Sequence, residues 1–257
     1  MQNDTVLAKK THRIFRVMMN RPKVMNAINI DILRGLKSAL ERVVSDEEMK
    51  VLVLEGAGGN FCAGADMSML NKGWGAPEWL KVMKLFGAVI HSMREISQPI
   101  IIKLQGTAYG GGLNLALAGD FVVASHTARL CQSFVNIGMA LDGGGTYFLP
   151  RLVGLARARE LALLGEEIDG RRAASMGLIY KSVPDKDVDT EVDTLADALS
   201  QKPLSAMALI KEGLEGSLDM GLKDVLEWES SHQSVLFQTA DHKNAIQSFL
   251  RSRGKIK

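Results

Sequence analysis

The sequence has few cysteines, little net charge and no long apolar run, and each shortage excludes a class of protein. Its two cysteines, Cys62 and Cys131, make neither a disulfide framework nor a metal-site spacing, which favours a reducing compartment. A formal net charge of +2 gives no basis for a nucleic-acid surface. No apolar run reaches transmembrane length, and the first residues lack the apolar region of a signal peptide. We therefore expect a cytoplasmic protein with no nucleic-acid or membrane partner.

What the sequence does contain is the pattern of an α/β protein. The 257 residues are 46% hydrophobic and 23% charged, which is ordinary for a globular chain. Strand and helix signals alternate irregularly to about residue 184. Helical patterns alone follow, near residues 187–200, 204–216, 221–239 and 241–251. The order predicts an α/β core with a helical C-terminal appendage.

The stretch QGTAYGGGLNLALAGD, residues 105–120, joins an apolar strand to a buried helix through Gly110, Gly111 and Gly112. Three glycines leave the backbone N–H groups of the helix start open to a ligand atom. The helix dipole favours negative charge at this position, so the stretch is a candidate oxyanion site. Close packing of the helix against the strand explains the same small residues, and this stretch alone does not decide between the two.

Five motifs occur in register along the chain. They are NRPKVMNAI, GNFCAGADM, QPIIIKLQGTAYGGGLNLALAGD, LDGGGTYFLPRLVG and GLARARELALLGEEIDGRRAASMGLIYKSV. Together they resemble the crotonase (enoyl-CoA hydratase/isomerase) superfamily. The resemblance implies a crotonase-like spiral of ββα turns with an acyl-CoA site over residues 1–200. It also implies a helical trimerisation region over residues 201–257, so that the chain forms a homotrimer or a dimer of trimers.

The resemblance further implies which residues meet the substrate, a coenzyme A thioester. The N–H groups of Ala65 and Gly111 match the two donors that hold the thioester oxygen in this superfamily. The positions that match its coenzyme A contacts in the two loops are Lys23, Val24, Ala27, Ala63, Ala65 and Asp66. Phe249 and Arg253 of the last helix match its aromatic and basic nucleotide contacts, although Phe249 also suits core packing. No prosthetic group is implied, and the scattered histidines predict no metal site.

The acid–base residues depart from the superfamily's hydratases. Those enzymes use two glutamates, and the matching positions here hold Asn114 and Phe134. Phenylalanine carries no proton, and asparagine orients a water only through hydrogen bonds. Asp142 remains as the candidate acid/base, because its apolar neighbours favour a raised pKa. Its other interpretation is a side chain that caps the helix after GGGT.

These positions predict an enoyl-CoA isomerase in which Asp142 moves a proton and Ala65 and Gly111 stabilise the enolate. Two alternatives stay open. In the first, Asn114 and Asp142 jointly position a water in a hydratase. In the second, the chain is a non-catalytic acyl-CoA-binding scaffold.

Overall fold

The computed structural model describes residues 5–253. The chain divides into two compact units, with the boundary between Ser200 and Gln201. The first unit mixes strands and helices, and the described part of the second is helical. A mixed α/β core followed by helices is the fold class that the sequence predicts. No helix in the described part of the chain is long and apolar enough to cross a membrane.

The first unit contains two sheets. Its strands are β1 (Val6–Thr11), β2 (Ile14–Met19), β3 (Val51–Gly56), β4 (Ile100–Leu104), β5 (Thr107–Tyr109), β6 (Phe121–Ser125), β7 (Arg129–Cys131), β8 (Glu167–Asp169) and β9 (Lys181–Val183). The larger sheet has the order β1-β2-β3-β4-β6-β9, and the smaller has the order β5-β7-β8. In the larger sheet β1 is antiparallel to β2, and every other neighbour is parallel.

Helices of the first unit cover both faces of its larger sheet. In the first unit they are α1 (Ile30–Ser45), α2 (Met67–Leu70), α3 (Ala76–Glu95), α4 (Gly111–Leu117), α5 (Gly145–Leu164), α6 (Gly170–Ser175) and α7 (Val188–Ser200). The second unit has α8 (Leu204–Gly216), α9 (Leu222–Leu236) and α10 (Ala240–Ser252).

Strand β3 shows why the core has two parts. Its side chains alternate, so Leu52 and Leu54 join the large cluster that contains α1 and α3. Val51 and Val53 face the other way and pack in a second cluster with α7. A parallel strand covered on both faces needs a continuous apolar run, which explains the sequence VLVL.

Three details of the first unit, the strands β5 and β8 and the helix α2, differ from the sequence-based expectation. The short strands β5 and β8 were not predicted, because each has three residues and too little alternation to stand out. Gly73, Gly75 and Pro77 predict an irregular segment over residues 66–79, but this segment contains the short helix α2. Helix α5 consists of two helical segments that meet at a kink at Gly154, whose φ is 72°. The sequence predicts both segments, the first after the glycine-rich LDGGGT and the second over residues 157–164.

Candidate active site

Two loops meet beside the glycine triplet. Cys62, in the loop after β3, forms an isolated parallel bridge with Ala108 of β5. Its N–H donates to the Thr107 carbonyl at 2.9 Å, and its carbonyl accepts from the Tyr109 N–H at 3.0 Å. A Cβ at Gly64 would lie 2.8 Å from the Tyr109 carbonyl oxygen, so only glycine permits this approach. The same point lies 3.9 Å from the Gly111 nitrogen, which brings the CAGAD loop against the start of α4.

Two backbone N–H groups at this junction have no acceptor within residues 5–253. The neighbouring N–H groups do: Gly110 donates to the Cys131 carbonyl, and Asp66 donates to the Ile28 carbonyl, both at 2.9 Å. The N–H groups of Ala65 and Gly111 donate to no other group among the described residues. Both residues line the same cavity. They are the two residues that the sequence predicts as oxyanion donors, and the structure brings them together.

The cavity has a volume of about 150 Å³ and is mostly apolar. Its lining residues are Ile28, Leu33, Ala63, Gly64, Ala65, Met67, Met69, Leu70, Val82, Met83, Phe86, Gly110, Gly111, Ser133, Phe134, Ile137, Met139 and Asp142. Asp142 is the only titratable acid or base among these lining residues. Across residues 5–253, no three metal-ligating side chains come together.

The Asp142 carboxyl group lies in this cavity without a hydrogen-bond partner. Its Oδ1 is buried and accepts no hydrogen bond in the described chain. A Cβ at Gly111 would lie 3.3 Å from that oxygen, so the carboxyl group is next to the oxyanion donor. Burial raises the pKa of Asp142 to about 6. The N-cap of α5 is Gly144, with no side-chain cap, so the capping interpretation of Asp142 is not realised.

The Asn114 side chain forms a hydrogen bond with the backbone of Asp142. It is fully buried and is not among the lining residues. Its Nδ2 donates to the Asp142 carbonyl at 2.8 Å, and its Oδ1 accepts from Gln132 Nε2 at 2.8 Å. The Gly145 N–H donates to the same Asp142 carbonyl at 2.9 Å. The amide thus fixes the loop that carries the carboxyl group.

Two aromatic rings form much of the wall around Asp142. Phe86 of α3 fits between two glycines: its Cε1 lies 3.2 Å from a Cβ built at Gly111 and 2.6 Å from one built at Gly143. The Phe134 ring lies 3.6 Å from a Cβ built at Gly110. Phe86 and Gln132 are the neighbours that the sequence analysis missed. The apolar spacing of α3 places Phe86 on the buried face without indicating that this face meets the cavity.

The predicted coenzyme A contacts in the two loops lie in different surroundings. Lys23 and Val24 are exposed in the short helical turn Pro22–Val24, and Ala27 is buried. Ala63 and Ala65 line the cavity. Their positions leave the backbone of the CAGAD loop accessible from the cavity.

Asp66 is an ion-pair and capping residue. Its carboxylate accepts from Arg21 at 2.7 Å and from the Ser68 N–H at 2.9 Å, and it caps α2. Burial alone raises the pKa of Asp66, but the hydrogen bonds from Ser68 and Arg21 outweigh it and lower the pKa below the ordinary value. The side chain therefore stabilises the loop as an anion.

The other predicted contacts, Phe249 and Arg253, belong to the second unit. Phe249 is 50% exposed, so it is not a core residue among the described part of the chain. The Arg253 guanidinium carbon lies 4.5 Å from the centre of the Phe249 ring. An exposed cation stacked on an exposed ring is consistent with a nucleotide contact, which stays a prediction.

Comparison with known proteins gives the family. The family model for enoyl-CoA hydratase/isomerase matches residues 9–255. A protein of Rhodobacter capsulatus named "Probable enoyl-CoA hydratase" is 36% identical over 92% of this chain and 91% of its own length. The 1,2-epoxyphenylacetyl-CoA isomerase of Escherichia coli is 30% identical over 96% of both chains.

A solved structure gives the fold. The crystal structure of an enoyl-CoA hydratase from Bacillus anthracis superposes with a TM-score of 0.93, at 26% identity and over 96% of both chains. The crotonase-like fold expected from the five motifs is therefore confirmed. The protein belongs to the enoyl-CoA hydratase/isomerase family, within the crotonase superfamily, whose substrates are coenzyme A thioesters.

Proposed function

We propose that this protein is an enoyl-CoA isomerase that moves a carbon–carbon double bond along the acyl chain. The observation that carries the proposal is the single Asp142 carboxyl group, unpaired and buried beside the Gly111 N–H in an apolar cavity. A double-bond shift needs one group that removes a proton and returns it elsewhere. It needs no activated water.

The proposed reaction starts from a 3-enoyl thioester bound with its carbonyl oxygen at the Ala65 and Gly111 N–H groups. Asp142 as the carboxylate takes a proton from carbon 2, and the electron pair moves into a dienolate whose charge lies on the thioester oxygen. The carboxyl group then returns the proton to carbon 4, which gives the 2-enoyl thioester. Each backbone donor is worth about 3 kcal/mol of transition-state stabilisation.

The raised pKa of Asp142 suits this exchange. A pKa of about 6 leaves the carboxylate ionised at neutral pH, but makes it a stronger base than an ordinary aspartate. Asn114 acts through Asp142 as a positioning residue, since its amide fixes the aspartate's carbonyl.

A hydratase is the second candidate, and the name of the Rhodobacter capsulatus relative favours it. In that mechanism Asn114 and Asp142 would hold the water that adds to carbon 3. The position of Asn114 outside the cavity lining argues against it. Incubation of crotonyl-CoA in ¹⁸O-labelled water discriminates, because hydration alone places solvent oxygen in the product.

The test of the proposal is the variant Asp142→Asn with 3-hexenoyl-CoA as substrate. We expect isomerisation, followed by the absorbance of the conjugated thioester, to fall to less than a tenth of wild type. The loss should lie in kcat, because the amide keeps the shape of the side chain. Asp197→Asn, an exposed aspartate of α7, is the matched control and should retain full activity. Activity above a tenth in Asp142→Asn refutes the role.

Binding and turnover measured together distinguish an enzyme from the non-catalytic scaffold. Tight binding of hexanoyl-CoA to the wild-type protein, without turnover across 3-enoyl and 2-enoyl thioesters of four to ten carbons, would support a non-catalytic protein and contradict the proposal.

A further inference from the structure

The cavity contains one more polar side chain than the proposed isomerisation uses. Ser133 follows β7 and is half-buried in the cavity wall. Its backbone carbonyl accepts from the Asn136 N–H at 3.2 Å, so a turn holds the residue in place. No hydrogen bond joins its hydroxyl group to another group among the described residues.

The hydroxyl group lies on the wall beside the oxyanion donors. Ser133 Oγ is 3.3 Å from the point where a Cβ at Gly110 would lie, and the Phe134 ring is 3.6 Å from the same point. Gly110 directly precedes the donor Gly111. Ser133 and Phe134 therefore form one side of the cavity, next to the place proposed for the thioester carbonyl.

An unpaired hydroxyl group in an apolar cavity selects among ligands. While the cavity holds water, the hydroxyl group bonds to that water. A hydrocarbon acyl chain displaces this water and leaves the hydroxyl group without a hydrogen bond. An acyl chain with an oxygen atom at the right carbon accepts a hydrogen bond from the hydroxyl group and so replaces the water. The preference for such a chain is about two- to tenfold in affinity for one neutral hydrogen bond.

We propose that Ser133 is a specificity-determining residue whose hydroxyl group donates a hydrogen bond to an oxygen atom on the acyl chain. The substrates would be acyl-CoA thioesters that carry an oxo, hydroxyl or ether oxygen beyond the thioester carbonyl. This inference rests on the proposed function, since it requires the acyl group to occupy this cavity.

The experiment compares the dissociation constants of three non-reacting thioesters, hexanoyl-CoA, 4-oxohexanoyl-CoA and 5-oxohexanoyl-CoA, by calorimetry. We expect wild type to bind at least one oxo thioester about two- to tenfold more tightly than hexanoyl-CoA. Ser133→Ala should abolish that preference and leave hexanoyl-CoA binding unchanged, and Ser133→Thr should keep it. Ser45→Ala removes an exposed hydroxyl of α1 and should bind all three as wild type does.

Each other outcome overturns the inference. An equal loss for all three thioesters in Ser133→Ala would make the hydroxyl group a third donor to the thioester carbonyl. No preference in wild type, or a preference that Ser133→Ala retains, would leave Ser133 without a role in selection. Failure of hexanoyl-CoA to bind wild type would refute the acyl-CoA site itself, and the proposed function with it.

Discussion

At the scale of single residues, the Asp142 carboxyl group lowers the stability of the folded protein once it is ionised. Nothing in the described chain donates a hydrogen bond to its buried oxygen, and burial is the one cause of its raised pKa. A carboxyl group with a raised pKa in the folded state binds its proton more tightly there than in the unfolded chain. Stability therefore falls as pH rises from the unfolded pKa, near 4, through the folded pKa, near 6.

Asp142→Asn should for this reason stabilise the protein at neutral and alkaline pH. The wild-type carboxylate is ionised and desolvated above pH 7, and the full cost is about 3 kcal/mol. We expect the stability advantage of the variant to grow by about 1–2 kcal/mol between pH 5 and pH 8. Urea unfolding of both proteins at the two pH values measures it.

The exposed-aspartate variant Asp197→Asn provides the baseline for this comparison. It should show no such pH-dependent difference from wild type. An advantage of Asp142→Asn that is constant or shrinks from pH 5 to pH 8 would contradict the buried, unpaired environment.

Sequence reasoning reaches two kinds of candidate site residue. One kind acts through a backbone N–H group, and the other is the acid that remains when the usual acids are absent. The resemblance to the superfamily predicts Ala65 and Gly111 as donors, and the absence of glutamate at Asn114 and Phe134 leaves Asp142 as the acid/base candidate. The structure places Ala65, Gly111 and Asp142 in the lining of one cavity, and their roles stay predictions. Ser133 and Gln132 could not be predicted, since a serine or glutamine in a buried segment has many uses and its partner is set by tertiary contacts.

At the scale of elements, helix α3 controls the environment of Asp142 through one ring. Phe86 approaches the Gly111 position that also faces Asp142 Oδ1. It also approaches Gly143, the residue that follows Asp142. A side chain at Gly143 would collide with the ring, and one at Gly111 would make an unusually close contact with it. The ring therefore covers one side of the carboxyl group, and α3 shapes the surroundings of Asp142 without supplying a polar atom.

Phe86→Leu should admit water to the carboxyl group and lower the pKa of Asp142 towards its ordinary value. Because the proposed base must be ionised, kcat/KM falls on the acid side of that pKa. We expect the acid limb, near pH 6 in wild type, to move down by about half a pH unit in the variant. The pH profile of 3-hexenoyl-CoA isomerisation reports it.

Phe15→Leu is the matched control, because Phe15 is equally buried in β2 but does not line the cavity. It should lose comparable stability and keep the wild-type acid limb. An unchanged limb in Phe86→Leu would show that other parts of the wall desolvate Asp142.

The elements themselves were predictable in proportion to their length and regularity. The apolar run VLVLEG predicts a strand over Val51–Gly56, and β3 has these bounds. The sequence offers Asn29 and Asp31 as caps of α1, and Asn29 caps the helix by accepting from the Ile32 N–H at 2.9 Å. Strands β5 and β8 were missed, because three-residue strands depend on their neighbours for pairing. The loops and helix starts that form the cavity converge through these short strands, so their side-chain contacts could not be derived from local pattern.

At the scale of the whole molecule, the second unit exposes more apolar surface than a helical unit on its own explains. Helices α8 and α9 contain no buried residue. Large apolar side chains are exposed along the unit, at Ile210, Leu214, Leu218, Leu222, Leu226, Val235, Phe237, Ile246 and Phe249. Exposed apolar surface on this scale is typical of a protein–protein interface, which agrees with the predicted trimerisation region.

The charge substitutions Leu222→Glu and Leu226→Glu, made together, should dissociate the predicted oligomer. The two leucines are one helical turn apart on α9 and are 75% and 52% exposed. If they lie in an interface, two buried carboxylates would cost several kcal/mol per subunit. We expect wild type to sediment as a trimer or hexamer and the double variant as a monomer.

Lys223→Glu, on an exposed position of the same helix, should keep the wild-type sedimentation coefficient. A monomeric wild type at micromolar concentration would refute self-association through this surface.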